Sequence, residues 1–316
     1  MLAYTLRRLA MIVPVLFGIS VIVFLIISLI PGDTAHAILG TFATPENVKT
    51  LNAELGLDRS LPEQYLIWIG NVLSGDFGRS YVLHKPVIIE LRERLMPTLL
   101  LAGTALLLSC VFGILFGIIA AIRQNGWQDK LITVTVLIGI STPSFWLGIL
   151  LIFWFGVRLA WLPVGGMADL FGGGGAGDIA RHLVLPSLAL AAVAGAVLVR
   201  LTRGNMLEVL RQDYIRTARA KGLSERTVIY KHAFRNALVN VVPVIGIEAG
   251  FVLGGAVYIE TVFQWPGIGR MLVQAISTRD ILLVQGGVLL IAVAYVFINL
   301  VTDLAQSVLD PRIRQT

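Results

Sequence analysis

Charged residues are what this sequence has least of. Asp, Glu, Lys and Arg make up 14% of its 316 residues, where soluble domains carry about 25%. That shortfall excludes an ordinary water-soluble fold. Cysteine is nearly absent too: Cys110 stands alone, so neither a disulfide nor a cysteine metal cluster can form within the chain. There is no GxxxxGK phosphate loop followed by Ser or Thr, and no HExxH. The four histidines, His36, His84, His182 and His232, fall in four different segments. Nucleotide hydrolysis and zinc-dependent hydrolysis therefore have no visible site, and no catalytic residue, metal or cofactor is expected in this chain. His36 and His84 are read as solvated surface groups.

What fills the chain is apolar residue, 56% of the total. Six stretches approach or exceed the roughly 20 residues that carry a helix across a bilayer core: 9–30, 98–122, 131–157, 183–199, 237–259 and 281–302. Five of them hold no charge, and 237–259 holds one, Glu248. The expected fold class is an all-α membrane protein with six transmembrane helices. The first run could imitate a secretory leader, with Arg7 and Arg8 before it and Ala35, His36 and Ala37 resembling a cleavage site. Its 22 residues exceed the about 7 to 15 of a leader core, and it is read as a retained anchor. With the N-terminus inside, the interior segments 1–8, 123–130, 200–236 and 303–316 hold fifteen Lys or Arg, nine of them in 200–236. The exterior loops 158–182 and 260–280 hold two each. By the positive-inside rule both termini are expected in the cytoplasm, and 31–97 is too long to count against this.

The expected organisation is an N-terminal anchor over 1–30, an extracytoplasmic segment over 31–97, and a five-helix core over 98–316 that carries the loop 200–236. Within 31–97, an apolar patch at 64–73 beside polar turns at 74–80 suggests a small cap of helices and turns. The run GGGGAG at 172–177 formally fits a dinucleotide pattern, but a membrane span follows where the motif needs a strand before and a particular helix after, so it is read as a linker. Gly113 and Gly117 form one small-residue pair, and Gly246, Gly250 and Gly254 form a ladder, spaced to let helix backbones approach in lipid. Pro143 and Pro186 should interrupt the third and fourth spans and place those helices inside the bundle. Glu248, at roughly 2.5 to 3.5 kcal/mol if left ionised in lipid, should face a cavity or the bundle interior.

The basic loop carries the most local information. From Asp213 to Lys221 the residues favour helix, with an acid at the start and a base at the end to complement the dipole. Gly222 suits a left-handed C-terminal cap, and Ser224 an N-cap for a second helix with Glu225 in its first turn. A helix, a glycine turn and another helix are expected. Contact with anionic lipid would not need a capped turn at a fixed place, and no nucleic-acid module accompanies the charge. Docking of a soluble protein partner is the favoured reading.

At these residues the chain resembles the inner-membrane permease subunits of binding-protein-dependent ABC importers, in the dipeptide and oligopeptide branch. The branch pattern Y-x-R-T-A-R-A-K-G-L-S followed by H-A-x-R-N-A-L stands here at 214–224 and 232–238. Further matches are RRLAMIVPVLFGISVIVFLIISLIPGD at 7–33, ELGLDRSLPEQYLIWIGNVLSGDFGRS at 54–80, STPSFWLGILLIFWF at 141–155, ETVFQWPGIGRML at 260–272 and LDPRIR at 309–314. The general permease motif puts Glu-Ala-Ala where this chain has Arg216, Thr217 and Ala218, as in the peptide branch.

The resemblance implies a type I importer permease fold in the bacterial inner membrane. It implies one or two cytoplasmic ATPase subunits that bind ATP and Mg²⁺, a second related permease and an extracytoplasmic solute-binding protein, with membrane lipid around the spans. The ATPases would grip Tyr214, Arg216, Thr217, Ala218, Arg219, Ala220, Lys221, Gly222, Leu223 and Ser224. Glu248, Ser141 and Asn299 are expected to line the path. Glu248, and Ile281 to Leu283 after Asp280 where a proline is common, depart from the family. Short peptides, glutathione-like peptides and chelated nickel are the solutes of this branch. The competing expectation is an ion-coupled carrier with Glu248 as its proton site, although the inverted repeats common in that class are not evident here.

Overall fold

The computed structural model describes residues 2–28, 43–54, 56, 58–169 and 174–309. His36, the cleavage-like 35–37, part of the glycine run and most of the LDPRIR ending lie outside the described residues. Among the described residues eleven helices follow one another: α1 (Leu2–Ser28), α2 (Pro45–Glu54), α3 (Leu61–Leu73), α4 (Val87–Ile122), α5 (Trp127–Ser141), α6 (Ser144–Arg158), α7 (Ala176–Leu210), α8 (Asp213–Ala220), α9 (Glu225–Val262), α10 (Ile268–Ser277) and α11 (Ile281–Leu309). Among the described residues there is no strand, only an isolated bridge between Arg79 and Pro86.

Among the described residues five helices are long and apolar enough to cross a membrane: α1, α4, α7, α9 and α11. The expected third span, 131–157, is instead a broken pair, with α5 and α6 bent 107° against each other. Thr142 is pushed to φ −95°, ψ 124°, the extended conformation that the following Pro143 ring imposes on its predecessor. Counted as one span, the pair brings the total to six. The bent pair is peripheral rather than interior: Asp129, Val136 and Gly148 are its buried residues. Pro186 does not break the fourth span either. It is buried within an unbroken α7 of 35 residues, whose packed surroundings hold the helix where the missing N–H leaves a carbonyl free.

The core is a trio. Leu101 and Ala105 of α4, Leu185, Ala189 and Ala194 of α7, and Val252, Ala256 and Ile259 of α9 form one buried cluster. Alanine dominates because lipid offers no hydrophobic drive for association, and small side chains maximise dispersion contact between backbones. A Cβ on Gly113 or Gly117 would stand 2.5 Å from the Cβ of Leu198 or of Thr202, so this pair sets the α4 to α7 approach. Gly246 and Gly250 lie against Thr302 and Tyr295 of α11, while Gly254 meets nothing within 4 Å. The ladder thus works through two of its three rungs.

Helix direction follows from end-to-end pairs. Arg8 of α1 meets Asp303 of α11 at 2.9 Å. The start of α11, at Leu283, packs with Val87 and Leu91 at the start of α4. The other end of α4, at Ile118 and Ala121, packs under the basic loop. The loop and the start of α1 therefore share one face, and α3 packs toward the other, against Ser20 and Phe24 of α1. α4 begins at Val87, well before the apolar run at 98, because residues 87–97 continue the helix with a polar, partly solvated surface.

Candidate functional site

The basic loop folds as its residues dictate. α8 ends at Ala220, Lys221 closes it, and Gly222 takes φ +76°. Gly222 N–H donates to the Arg219 carbonyl at 2.9 Å and Leu223 N–H to the Ala218 carbonyl at 3.4 Å, the paired bonds of a Schellman cap. Two residues on, the Ser224 hydroxyl accepts from Thr227 N–H at 3.4 Å and opens α9. The Arg219 guanidinium spans the turn to Glu225 through two bonds of 2.7 and 3.3 Å. Asn236 donates to the Tyr214 hydroxyl at 2.9 Å and to the His232 carbonyl at 2.8 Å, tying the start of α8 to α9.

The underside of this elbow is a small core of its own. Ile215 and Ala218 are buried with Met206 of α7, Val228, Ala233 and Ala237 of α9 and Ile118 of α4. Residues 228–234 run as π-helical turns, a local widening common at functional positions. Beside it, Arg203 of α7 holds the buried Asp129 of α5 with two bonds of 2.7 and 2.8 Å.

Of the ten proposed docking residues, nine are exposed on one continuous surface: Tyr214, Arg216, Thr217, Arg219, Ala220, Lys221, Gly222, Leu223 and Ser224. Ala218 is the exception, at 7% exposed. A short helix must turn one face inward, and at this register Ile215 and Ala218 form that face.

The three proposed path residues are not brought together by any bond. Glu248 is buried on the side of α9 that packs on α7, and no described residue donates to its carboxylate. Ser141 is exposed at the break between α5 and α6, and Asn299 is half-buried on α11.

Two acids that the sequence did not single out do more structural work. Glu260, fully buried near the far end of α9, accepts from the Thr98 hydroxyl of α4 at 2.6 Å and from the Arg270 backbone N–H at 3.0 Å. Thr98 also accepts from Ile268 N–H at 2.8 Å, and Trp265 donates to the Pro97 carbonyl at 2.9 Å. The first backbone donors of α10 are thereby satisfied by a carboxylate and a hydroxyl, which the helix dipole favours. This latch fastens α4, α9 and α10 on the face opposite the elbow. Its signal in the sequence was an acid closing an apolar run just before a glycine-flanked helix start. The second acid, Asp280, is paired with Ser80 and lies at the start of α11, where Leu283 N–H reaches it at 3.3 Å.

His182 sits buried between two carboxylates: Nδ1 is 3.2 Å from Asp178 and Nε2 is 3.7 Å from Asp169. Nδ1 is also 3.0 Å from the Asp178 backbone carbonyl, and one ligand atom from each of Asp169, Asp178 and His182 lies within 4.8 Å of the others. Of the other described histidines, His84 is exposed and His232 is half-buried behind the elbow.

Comparison with known proteins bears on the family and the fold. A family model described as "Binding-protein-dependent transport system inner membrane component" matches residues 113–315, and its N-terminal counterpart matches residues 1–102. The chain is 43% identical over 314 residues to the "Glutathione transport system permease protein GsiC" of Escherichia coli (strain K12), covering 99% of each chain. The protein of the same name from Shigella dysenteriae serotype 1 matches equally. Among solved structures, an inward-facing conformation of the MetNI methionine ABC transporter superposes with a TM-score of 0.55 at 17% identity. That match covers 70% of this chain and 96% of the other, and it speaks to the fold.

Proposed function

The chain belongs to the family of inner-membrane permease components of binding-protein-dependent ABC importers, and from that premise we propose that it drives solute across the membrane through the elbow built around Gly222. It is a multi-pass inner-membrane transport subunit with the type I permease fold, and ATPase and binding-protein partners accompany such a subunit. The observation that carries the coupling role is the elbow's form. Nine exposed residues stand on a capped helix whose underside is packed into the ends of α4, α7 and α9. A surface so supported transmits force, where a flexible basic tail would only attract charge.

On this reading two cytoplasmic ATPases bind ATP and Mg²⁺ and grip Tyr214, Arg216, Arg219 and Lys221 of this elbow and the matching elbow of a second permease. Their closure tilts the bundle outward, and hydrolysis resets it. Ala218 keeps the elbow's shape from below. Both termini lie in the cytoplasm, the start of α1 and the end of α11 being on the elbow's face. The solute is a small peptide-like molecule: glutathione, named for the relatives, is a tripeptide, in keeping with the peptide-branch pattern at 214–224. Glu248, Ser141 and Asn299 contribute to the path only where the second permease completes it.

Deleting residues 216–222 should abolish co-purification of the ATPases with this chain while leaving its membrane insertion intact. A stable, ATP-coupled complex after that deletion would overturn the docking role. Among di- and oligopeptides and glutathione, the solute that stimulates ATP hydrolysis most in the assembled complex with its binding protein identifies the cargo; stimulation by none of them removes the peptide assignment. Proton-driven transport by this chain alone, lost in Glu248→Gln, would instead favour an ion-coupled carrier.

A further inference from the structure

We propose that α3 is a lipid-binding helix, seated in the outer leaflet of the bilayer against α1 rather than in the extracytoplasmic solvent. Two independent observations carry this. The first is depth. The Tyr65 hydroxyl lies 2.8 Å from Ser20 Oγ, and the Tyr65 ring packs edge-on against Phe17 and Phe24 at centroid distances of 6.2 and 5.5 Å. Trp68 adds a third aromatic against Phe24 at 5.9 Å. These partners are not at the end of α1. Its membrane-crossing stretch runs to Ile26, so Ser20 is six residues inside it, about 9 Å along the axis at ~1.5 Å per residue. Helices lying in a membrane interface bury their apolar faces to about 5 to 10 Å.

The second observation is the arrangement of residues around α3. At 100° per residue, Tyr65, Trp68 and Val72 point to α1, and Leu66 and Leu73 stand on the adjoining flank. Leu66 is 66% and Leu73 is 81% exposed, an apolar flank wider than α1 covers. Glu63, Asn71 and Ser74 occupy the opposite side, with Ile67 between the first two at 43% exposed. Glu63 accepts from the Ser60 backbone and hydroxyl at 3.1 and 2.9 Å, and those bonds hold its carboxyl below the usual carboxylate range. The polar side therefore stays charged and faces water. The exposed flank continues the lipid-facing surface of α1, where Val13, Phe17 and Ile22 are each more than half exposed. Tyr and Trp at the contact are the side chains that favour a boundary with one apolar and one wet side. α3 carries no Lys or Arg, so its attachment is apolar insertion and needs no anionic lipid.

The test is depth measurement on the assembled transporter in phosphatidylcholine and phosphatidylethanolamine vesicles. Single cysteines placed at Leu66, Leu73 and Glu63 in a Cys110→Ser background carry a nitroxide. Collision with oxygen, which concentrates in lipid, is compared with collision with a water-soluble nickel chelate. The oxygen-to-nickel ratio should be several-fold higher at 66 and 73 than at 63, and should not change when phosphatidylglycerol is added. Equal ratios at the three sites would show a solvated helix and overturn the proposal. Shielding of 66 and 73 from both reagents would show a protein partner on that flank and overturn it equally. Solute-stimulated ATP hydrolysis by each labelled complex establishes that the labelled protein is folded.

Discussion

Substituting Gly222 isolates the elbow's turn from everything around it. A Cβ at this position would meet nothing within 4 Å, so side-chain bulk has no steric cost there and only the backbone responds. At φ +76° an alanine costs about 1 to 2 kcal/mol relative to glycine. That lowers the ratio of formed to opened cap by a factor of about 5 to 30. Asparagine tolerates the left-handed region and should cost less; valine, branched at Cβ, should cost more. If the strain opens the cap, the two bonds from Gly222 and Leu223 go with it, each worth about 0.5 to 1.5 kcal/mol. Binding-protein-stimulated ATP hydrolysis in the assembled complex should thus fall in the order Gly, Asn, Ala, Val, with membrane yield unchanged because Gly222 lies outside the spans. Full coupling in Gly222→Val would refute the reasoning, since no other contact at this position could account for a loss.

Two further substitutions address charge and the latch. The exposed Arg219–Glu225 pair contributes little to stability, about 0 to 1 kcal/mol, so Arg219→Glu should leave the chain folded while ATPase co-purification drops; the swap Arg219→Glu with Glu225→Arg restores the bridge and should still fail to dock, whereas rescue by the swap would reduce Arg219 to a shape-keeping role. At the latch, Glu260→Gln turns an acceptor toward the Thr98 and Arg270 donors into a mixed amide. A donor left unsatisfied there costs about 1 to 3 kcal/mol. Thermal unfolding in detergent should shift down, and an unchanged midpoint would mean the latch contributes nothing to the fold.

The elbow was legible because its rules are local. Asp213, Gly222 and Ser224 announce start, cap and restart within a dozen residues, and the fold obeys each. The spans were legible from their lack of charge. What escaped was non-local. Glu260 meets Thr98 across more than half the chain, and the Tyr65–Ser20 contact joins segments that composition alone treats as membrane and loop. The bend at Thr142 was half visible: proline marked the place, but an angle of 107° depends on what the second half packs against. Ala218 was assigned to the docking surface from a motif, whereas its inward register is set by Ile215 one turn before it.

Two helices of the central trio, α4 and α9, are joined at both ends. At the elbow's end, a small core clamps α4, α7 and α9 together; at the opposite end, Glu260 and Thr98 pin α9 to α4. Helices joined at top and bottom cannot scissor against one another. A passage that opened between α4 and α9 would have to break one of these two joints first.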